Sequence, residues 1–382
     1  MELGFLKPLF DRPGPWASVY IDTTRGTEDA PAQQRLRERA VANRLIDEGA
    51  DAYTTRALML TLAEEPVSGT PPGRALFAAG AEVVLDIPLV RAPLVGEAAW
   101  STLPHTSPLV GLVDALPPCV IAYIDRTGAD LEIRDSLRRV PVGRAEGREW
   151  RSHRSVPEDR YEWHYRNKTE NIWQENAELI AAELTRRRPE IGAEALVLVG
   201  DARERRAVYA QLPEPMRAMT VEAERGNRSS AHDDQLERRI TEVRTEQARG
   251  RLESALERFR VGRGRPGDHR SGPSGAVDTG PGGAAEGVPA LVDAARSHQV
   301  ETMLMAEAAS DAARDVWIGP GPDQIAVQRS EAHAMGVARP ERARADDALM
   351  RSAAGADANV LLVPQGMRGP SGGLGAVLRW SF

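Results

Sequence analysis

Short apolar runs alternate with longer amphipathic stretches along the chain, and the spacing predicts an α/β protein. Residues 17–22 read as a strand, and the polar turn Thr23-Thr24-Arg25-Gly26 follows. From residue 31 to 62 the spacing predicts one long helix, with Pro31 in its first turn and Leu36, Ala40 and Leu45 on one stripe. Two short strands follow at 74–78 and 82–87. A Pro-rich connector over 88–108 then carries His105, and 109–116 is short enough for a brief helix.

A hairpin opens the next segment: the apolar run 119–125, the turn Arg126-Thr127-Gly128, and the alternating return 129–134. A loop-rich basic stretch spans 138–160. A helix over 161–188 ends in Arg186-Arg187-Arg188, which suits the negative end of the helix dipole, and Pro189 is the expected stop. A strand at 195–199, a helix at 204–211, a strand at 219–224 and a charged helix over 233–259 complete this part. The alternating charges of that last helix read as a solvated face. Leu236, Ile240, Val243, Leu252, Leu256 and Phe259 form its apolar face. Strands alternating with helices imply a parallel or mixed sheet between helical layers. Residues 262–287 are rich in Gly, Pro and Ser and read as a linker. Beyond it come a helix at 289–297, strands at 301–305 and 325–328, a helix at 343–354, and strands at 359–363 and 376–380. The expected organisation is an N-terminal α/β domain over 1–115, a middle domain over 116–262, a Gly/Pro linker over 263–287 and a C-terminal α/β domain over 288–382.

Composition narrows the class. The balance of 41% hydrophobic and 27% charged residues is that of a globular protein, and a net charge of −7 argues against a general nucleic-acid coat. Nearly all basic residues are arginine, with lysine only at Lys7 and Lys168, so single arginines are not read as phosphate ligands. No apolar run approaches the ~20 residues of a membrane span, and the first residues lack a signal-peptide pattern. The lone Cys119 sits in an apolar run and reads as a buried small hydrophobe. A cytoplasmic location is expected.

Candidate chemistry is sparse. His153 and His164 flank Glu158 and Asp159 without zinc-ligand spacing, so no metal is expected. No Gly-x-Ser-x-Gly elbow occurs. Gly319-Pro320-Gly321-Pro322 lacks the Gly-Lys-Ser/Thr of a phosphate loop, and Gly372-Gly373-Leu374-Gly375 precedes a strand, so both read as tight turns. No cofactor is expected. The best local signal is basic and aromatic: Arg148, Arg151, His153, Arg154, Arg160, Trp163, His164, Arg166 and Lys168, with Trp150, Tyr161 and Tyr165 interleaved. Guanidinium groups pair with phosphates and aromatic faces stack on bases. A solvated loop leading into a helix whose tryptophans pack on a sheet accounts for the same residues equally well. Trp173, further along the helix, reads as core.

The order of several moderate motifs resembles a known superfamily. The strand-turn-strand at 119–131 is similar to the opening of the middle domain in bacterial relatives of the archaeal-eukaryotic peptide chain release factor and Pelota superfamily. The Gly-rich ending at 372–380 resembles the final strand of its third domain, and the runs at 300–305 and 358–364 sit where that domain places strands. The resemblance implies three domains: a divergent N-terminal α/β domain, an RNase H-like middle domain, and a C-terminal domain similar to kink-turn-binding ribosomal proteins. It also implies action at the ribosomal A site. The loop at 142–160, where release factors carry Gly-Gly-Gln, holds no glutamine, and the Asn-Ile-Lys-Ser stop-codon motif is absent. The bacterial branch includes hibernation factors of the Balon type that occupy the A site beside elongation factor Tu. The expectation is therefore a non-catalytic binder of the 70S ribosome, with no DNA or membrane partner. The basic aromatic stretch would contact ribosomal RNA, Thr23, Thr24 and Arg25 would face the decoding site, and the third domain would face the stalk base or the elongation factor. Two other readings stand: a peptidyl-tRNA hydrolase or ribosome-rescue enzyme using His153 or His164 as general acid or base, and a protein-binding module unrelated to ribosomes.

Overall fold

The computed structural model describes residues 1–24, 29–64, 71–94, 96–114, 116–125, 127–135, 139–146, 162–223, 234–264 and 283–380. In residues 162–172 and 189–191 the backbone alone is described. The chain forms two compact units, one of Met1–Ala115 with Arg251–Phe382 and one of Leu116–Gly250. It is a mixed α/β protein built on several sheets.

The first unit begins with a short helix, α1 (Lys7–Phe10), and strand β1 (Trp16–Asp22). Helices α2 (Ala30–Asp47) and α3 (Ala52–Ala63) follow, then β2 (Gly73–Ala79), β3 (Glu82–Leu89), β4 (Glu97–Ser101) and α4 (Leu109–Leu112). The strands form an antiparallel sheet in the order β3-β2-β1-β4. Its central strands are continuous apolar runs because both faces are covered; Ala17, Val19 and Ile21 meet Val41, Leu45, Leu58 and Leu62 of α2 and α3.

Two expectations for this region are corrected. The single helix over 31–62 is two helices. Gly49 adopts φ +92°, the left-handed conformation that ends a helix, and the Asp51 carboxylate caps the next by accepting from Tyr53 N at 3.0 Å and Thr54 N at 2.9 Å. The buried side of α2 is carried by Val41 and Leu45, four residues apart, whereas Leu36 is 63% exposed. The Pro-rich connector also contributes β4, which pairs with β1 from Trp16↔Ser101 to Tyr20↔Glu97.

The second unit opens with β5 (Cys119–Asp125), β6 (Gly128–Arg134) and β7 (Arg139–Glu146). It continues through α5 (Glu162–Ile191), β8 (Ala195–Val199), α6 (Ala202–Gln211), α7 (Glu214–Arg217) and β9 (Thr220–Ala223) to α8 (Asp234–Gly264), whose last turns lie in the first unit. The sheet order is β7-β6-β5-β8-β9, with β5, β6 and β7 antiparallel and β5, β8 and β9 parallel. Cys119 is buried. The stretch 139–146, expected as loop, is the edge strand β7, whose side chains are mostly exposed. Pro189 does not stop α5, which runs two residues further to Ile191. One face of the sheet packs on α5 and α6 through Ala177, Ile180, Leu184 and Val208, and the other on Leu236, Ile240 and Val243 of α8.

The C-terminal part of the first unit holds β10 (Ala284–Glu286), α9 (Gly287–Arg296), β11 (Val300–Ala306), β12 (Asp315–Ile318), β13 (Ile325–Ala326), α10 (Arg329–Ala334), β14 (Glu341–Arg344), α11 (Ala345–Gly355), β15 (Asn359–Val363) and β16 (Leu374–Leu378). One sheet has the order β10-β16-β11-β15 and a smaller one β13-β12-β14. Leu252, Leu256 and Phe259 of α8 pack on the larger sheet against Leu304, Val363 and Val377. Both glycine turns are structural. Gly372 and Gly373 adopt φ +69° and +85° ahead of β16. The buried Arg351 of α11 donates to Gly319 O at 3.0 Å and Gly321 O at 2.9 Å, holding the Gly-Pro loop, and burial lowers its pKa to about 10. Strand β12 had no counterpart in the sequence pattern, and β14 replaces the start of the helix expected at 343.

Candidate nucleic-acid interface

The basic aromatic stretch is framed by β7 and α5. Edge strand β7 delivers the chain to Glu146, and α5 takes it up again at Glu162. Arg148, Arg151, His153, Arg154 and Arg160, with Trp150 and Tyr161, lie outside the described residues. Trp163, His164, Arg166 and Lys168 fall in the opening turns of α5. The C-terminal part of α5 is tied to β7. Arg187 of α5 bonds Glu183 at 2.5 Å and donates to the Val142 carbonyl of β7. Gly143 leaves room for it, since a Cβ there would lie 2.7 Å from Arg187 Nη2. Hydrogen bonds from Arg186 and Arg187 hold the Glu183 carboxyl at about 2, well below the carboxylate range.

Further along α5, Trp173 is half-buried rather than core. The guanidinium of Arg203, in the first turn of α6, stacks 4.5 Å from its ring centroid.

At the decoding-site candidates, Thr23 is buried. Its Oγ1 donates to Pro71 O at 2.5 Å, and its N–H to Pro72 O at 3.1 Å. Thr24 donates through N and Oγ1 to Asp22 Oδ1 at 2.8 and 2.6 Å, and Asp22 pairs with Arg37 at 2.8 Å. Arg25 lies outside the described residues.

A cluster that the sequence pattern did not single out joins His105, Asp346 and Asp347 in the first unit. His105 Nδ1 is 2.8 Å from Asp347 Oδ2, and Asp347 Oδ1 accepts from the N–H groups of Thr106 at 2.8 Å and Ser107 at 3.2 Å. Asp346 accepts from Ser107 Oγ at 2.8 Å and from Arg344 at 3.0 and 2.7 Å. With its carboxylate oxygens already engaged, the cluster is a clamp fastening residues 105–107 to α11, not an open metal centre. Burial pushes the His105 pKa down, but Asp347 and Asp346 outweigh it and leave the imidazole above its ordinary value.

Comparison with known proteins bears on the middle unit. Residues 118–265 match the model of bacterial archaeo-eukaryotic release factor family 2. The middle of this chain is similar to a release-factor-type domain. The match begins at β5 and ends just past α8, so it takes in the whole sheet of the second unit and the frame of the basic stretch. The whole chain is also similar to the uncharacterized protein Rv2629 of Mycobacterium tuberculosis, at 26% identity over 386 residues, covering 98% of this chain and 96% of the relative. Among solved structures, ribosome-bound archaeal Pelota aligns at 13% identity and TM-score 0.37 over 99% of this chain and 94% of that one. The archaeal translation termination factor aRF1 aligns at 14% and 0.25 over 98% and 96%. Dom34 of S. cerevisiae aligns at 9% and 0.33 over 69% and 63%. Likeness at those scores is too distant to support a structural argument. Among the described residues no helix is long and apolar enough to cross a membrane.

Proposed function

We propose that this protein is a ribosome-associated translation factor that binds without cleaving, acting as a hibernation factor in the A site. The observation that carries the reading is the release-factor match of residues 118–265 combined with the absence of Gly-Gly-Gln from the sequence. Three antiparallel strands followed by two parallel ones support the RNase H-like assignment of this unit. Where a release factor presents its water-positioning glutamine, this chain offers arginines and aromatics between β7 and α5. Those groups bind phosphate and stack on bases but supply no hydrolytic group of the release-factor kind. The 70S ribosome is the partner, with elongation factor Tu beside it.

Changing Arg148, Arg151 and Arg154 together to Ala is expected to weaken co-sedimentation with vacant 70S ribosomes at least tenfold. Unchanged affinity would remove this stretch from the interface. The peptidyl-tRNA hydrolase reading is kept because His153 and His164 lie within the same stretch. Release of peptide from loaded ribosomes that disappears in His153→Ala or His164→Ala would replace the non-catalytic reading with it.

A further inference from the structure

The first unit has a cavity that the ribosome-binding reading does not use. It is a space of about 370 Å³, lined by the end of α1, the segment after it and Leu103, and by Ile318, Pro320, Arg339 and Arg351 among others. Small-molecule sites occupy roughly 300–1,000 Å³. The backbone around it is set by the fold. A Cβ at Gly14 would collide with the Thr102 carbonyl, so the segment after α1 runs hard against the chain leaving β4. Gly319 N donates to Gln324 O at 2.8 Å and Gly321 N to Gln324 Oε1 at 3.0 Å, which closes the Gly-Pro loop. One charge at this cavity is uncompensated. Arg351 is 6% exposed, and its two Nη groups are engaged by the neutral carbonyls of Gly319 and Gly321. Its Nε is buried without a hydrogen-bond partner, and among the described residues no carboxylate pairs with it. Buried charges are ordinarily paired, and the lowered pKa of Arg351 has this cause: burial outweighs the more distant pull of Asp323. Arg339 is exposed at the same cavity and forms no ion pair among the described residues.

We propose that this cavity binds a small organic monocarboxylate with an apolar body, its carboxylate held by Arg339 and supplying the counter-charge that Arg351 lacks. A guanidinium fork matches a carboxylate in shape and charge, and the unpaired Arg339 has its donors available for one. Leu9, Phe10, Pro13, Leu103, Ile318 and Pro320 give the rest of the lining an apolar character suited to the ligand's body. A space of roughly 150 Å³ holds a benzene ring, so a volume more than twice that accommodates two fused rings. The other charged groups at the cavity limit the ligand to a single negative charge. Arg12 is already paired with Glu82 at 2.6 Å, and Asp11 and Glu341 are carboxylates that would repel a second charge, such as that of a phosphate monoester. The site is independent of the basic aromatic stretch and of ribosome binding, because every residue of its lining belongs to the first unit.

The test titrates the full-length protein by calorimetry or ligand-observed NMR with three probes of one shape: 2-naphthoate, the neutral 2-naphthamide and the doubly charged 2-naphthyl phosphate. The carboxylate is expected to bind tightest, roughly tenfold ahead of the amide, as a hydrogen bond to a charged group requires. Because Arg351 also holds the Gly-Pro loop, the variants leave it in place. Arg339→Ala, at an exposed position, is expected to weaken the carboxylate roughly tenfold and to leave the amide unchanged. Arg368→Ala, exposed and outside the cavity, is expected to change neither. No binding of 2-naphthoate to the wild type, equal affinity for the amide, or indifference to Arg339→Ala overturns the proposal. An equal loss in Arg368→Ala overturns it too, by showing attraction to surface arginines in general. Tighter binding of the phosphate overturns the single-charge ligand class.

Discussion

His105 and Asp347 are 242 residues apart in sequence, yet their side chains meet at 2.8 Å. Both belong to the first unit, and Arg344, Asp346 and Glu97 are the other charged groups acting on the cluster. The raised imidazole pKa fixes the sign of its pH dependence. The stabilisation is fully present below the unfolded value of ~6.5 and is lost as pH rises through the higher folded value. His105→Gln is expected to cost about 3 kcal/mol near pH 6 and clearly less near pH 9, because it leaves a buried carboxylate with only its backbone donors. Urea denaturation of wild type and variant at both pH values checks this; a difference that grows with pH contradicts it. No reading of residues 88–108 alone could find this contact, since the pattern shows a histidine in a loop and gives no hint of its partner. Trp173 is a milder case. Its helical placement was legible, but its stacking with Arg203, which reaches it from a different helix, was not.

Elements with a single strong periodicity were the most legible, and α8 is the best example. Its apolar positions Leu236, Ile240, Val243, Leu252, Leu256 and Phe259 are all used, but by two cores: the first three pack on the sheet of the second unit and the last three on β11, β15 and β16. Phe259→Ala is expected to cost about 3–5 kcal/mol and to speed hydrogen exchange in β11 and β16. Ile240→Ala is expected to cost about 2–5 kcal/mol and to act on β5 and β8. The same amides responding to both variants would contradict the division of the helix. Elements were missed where pairing rather than side-chain pattern makes the strand. Glu97–Ser101 follows a Pro-rich stretch and contains no β-branched residue, yet the exposed edge of β1 recruits it. Arg139–Glu146 holds a proline and a glycine, which a strand at the sheet's edge tolerates. The break between α2 and α3 had its signals in Gly49 and Asp51, and a continuous apolar pattern overrode them.

For the molecule as a whole, the fold class and the middle unit were readable because strand and helix runs alternate in order, and residues 118–265 carry the family match. The interface was readable only as a composition: the sequence marks a basic aromatic stretch, and the structure shows the two elements that hold its ends. The central claim is that this stretch binds ribosomal RNA. It is tested most directly by co-sedimenting the purified protein with vacant 70S ribosomes over a salt series, with and without elongation factor Tu. The account predicts saturable binding whose affinity falls steadily with salt, as phosphate contacts require, and rises when the elongation factor is present. Absence of ribosome binding in both conditions, at low as well as moderate salt, would contradict it.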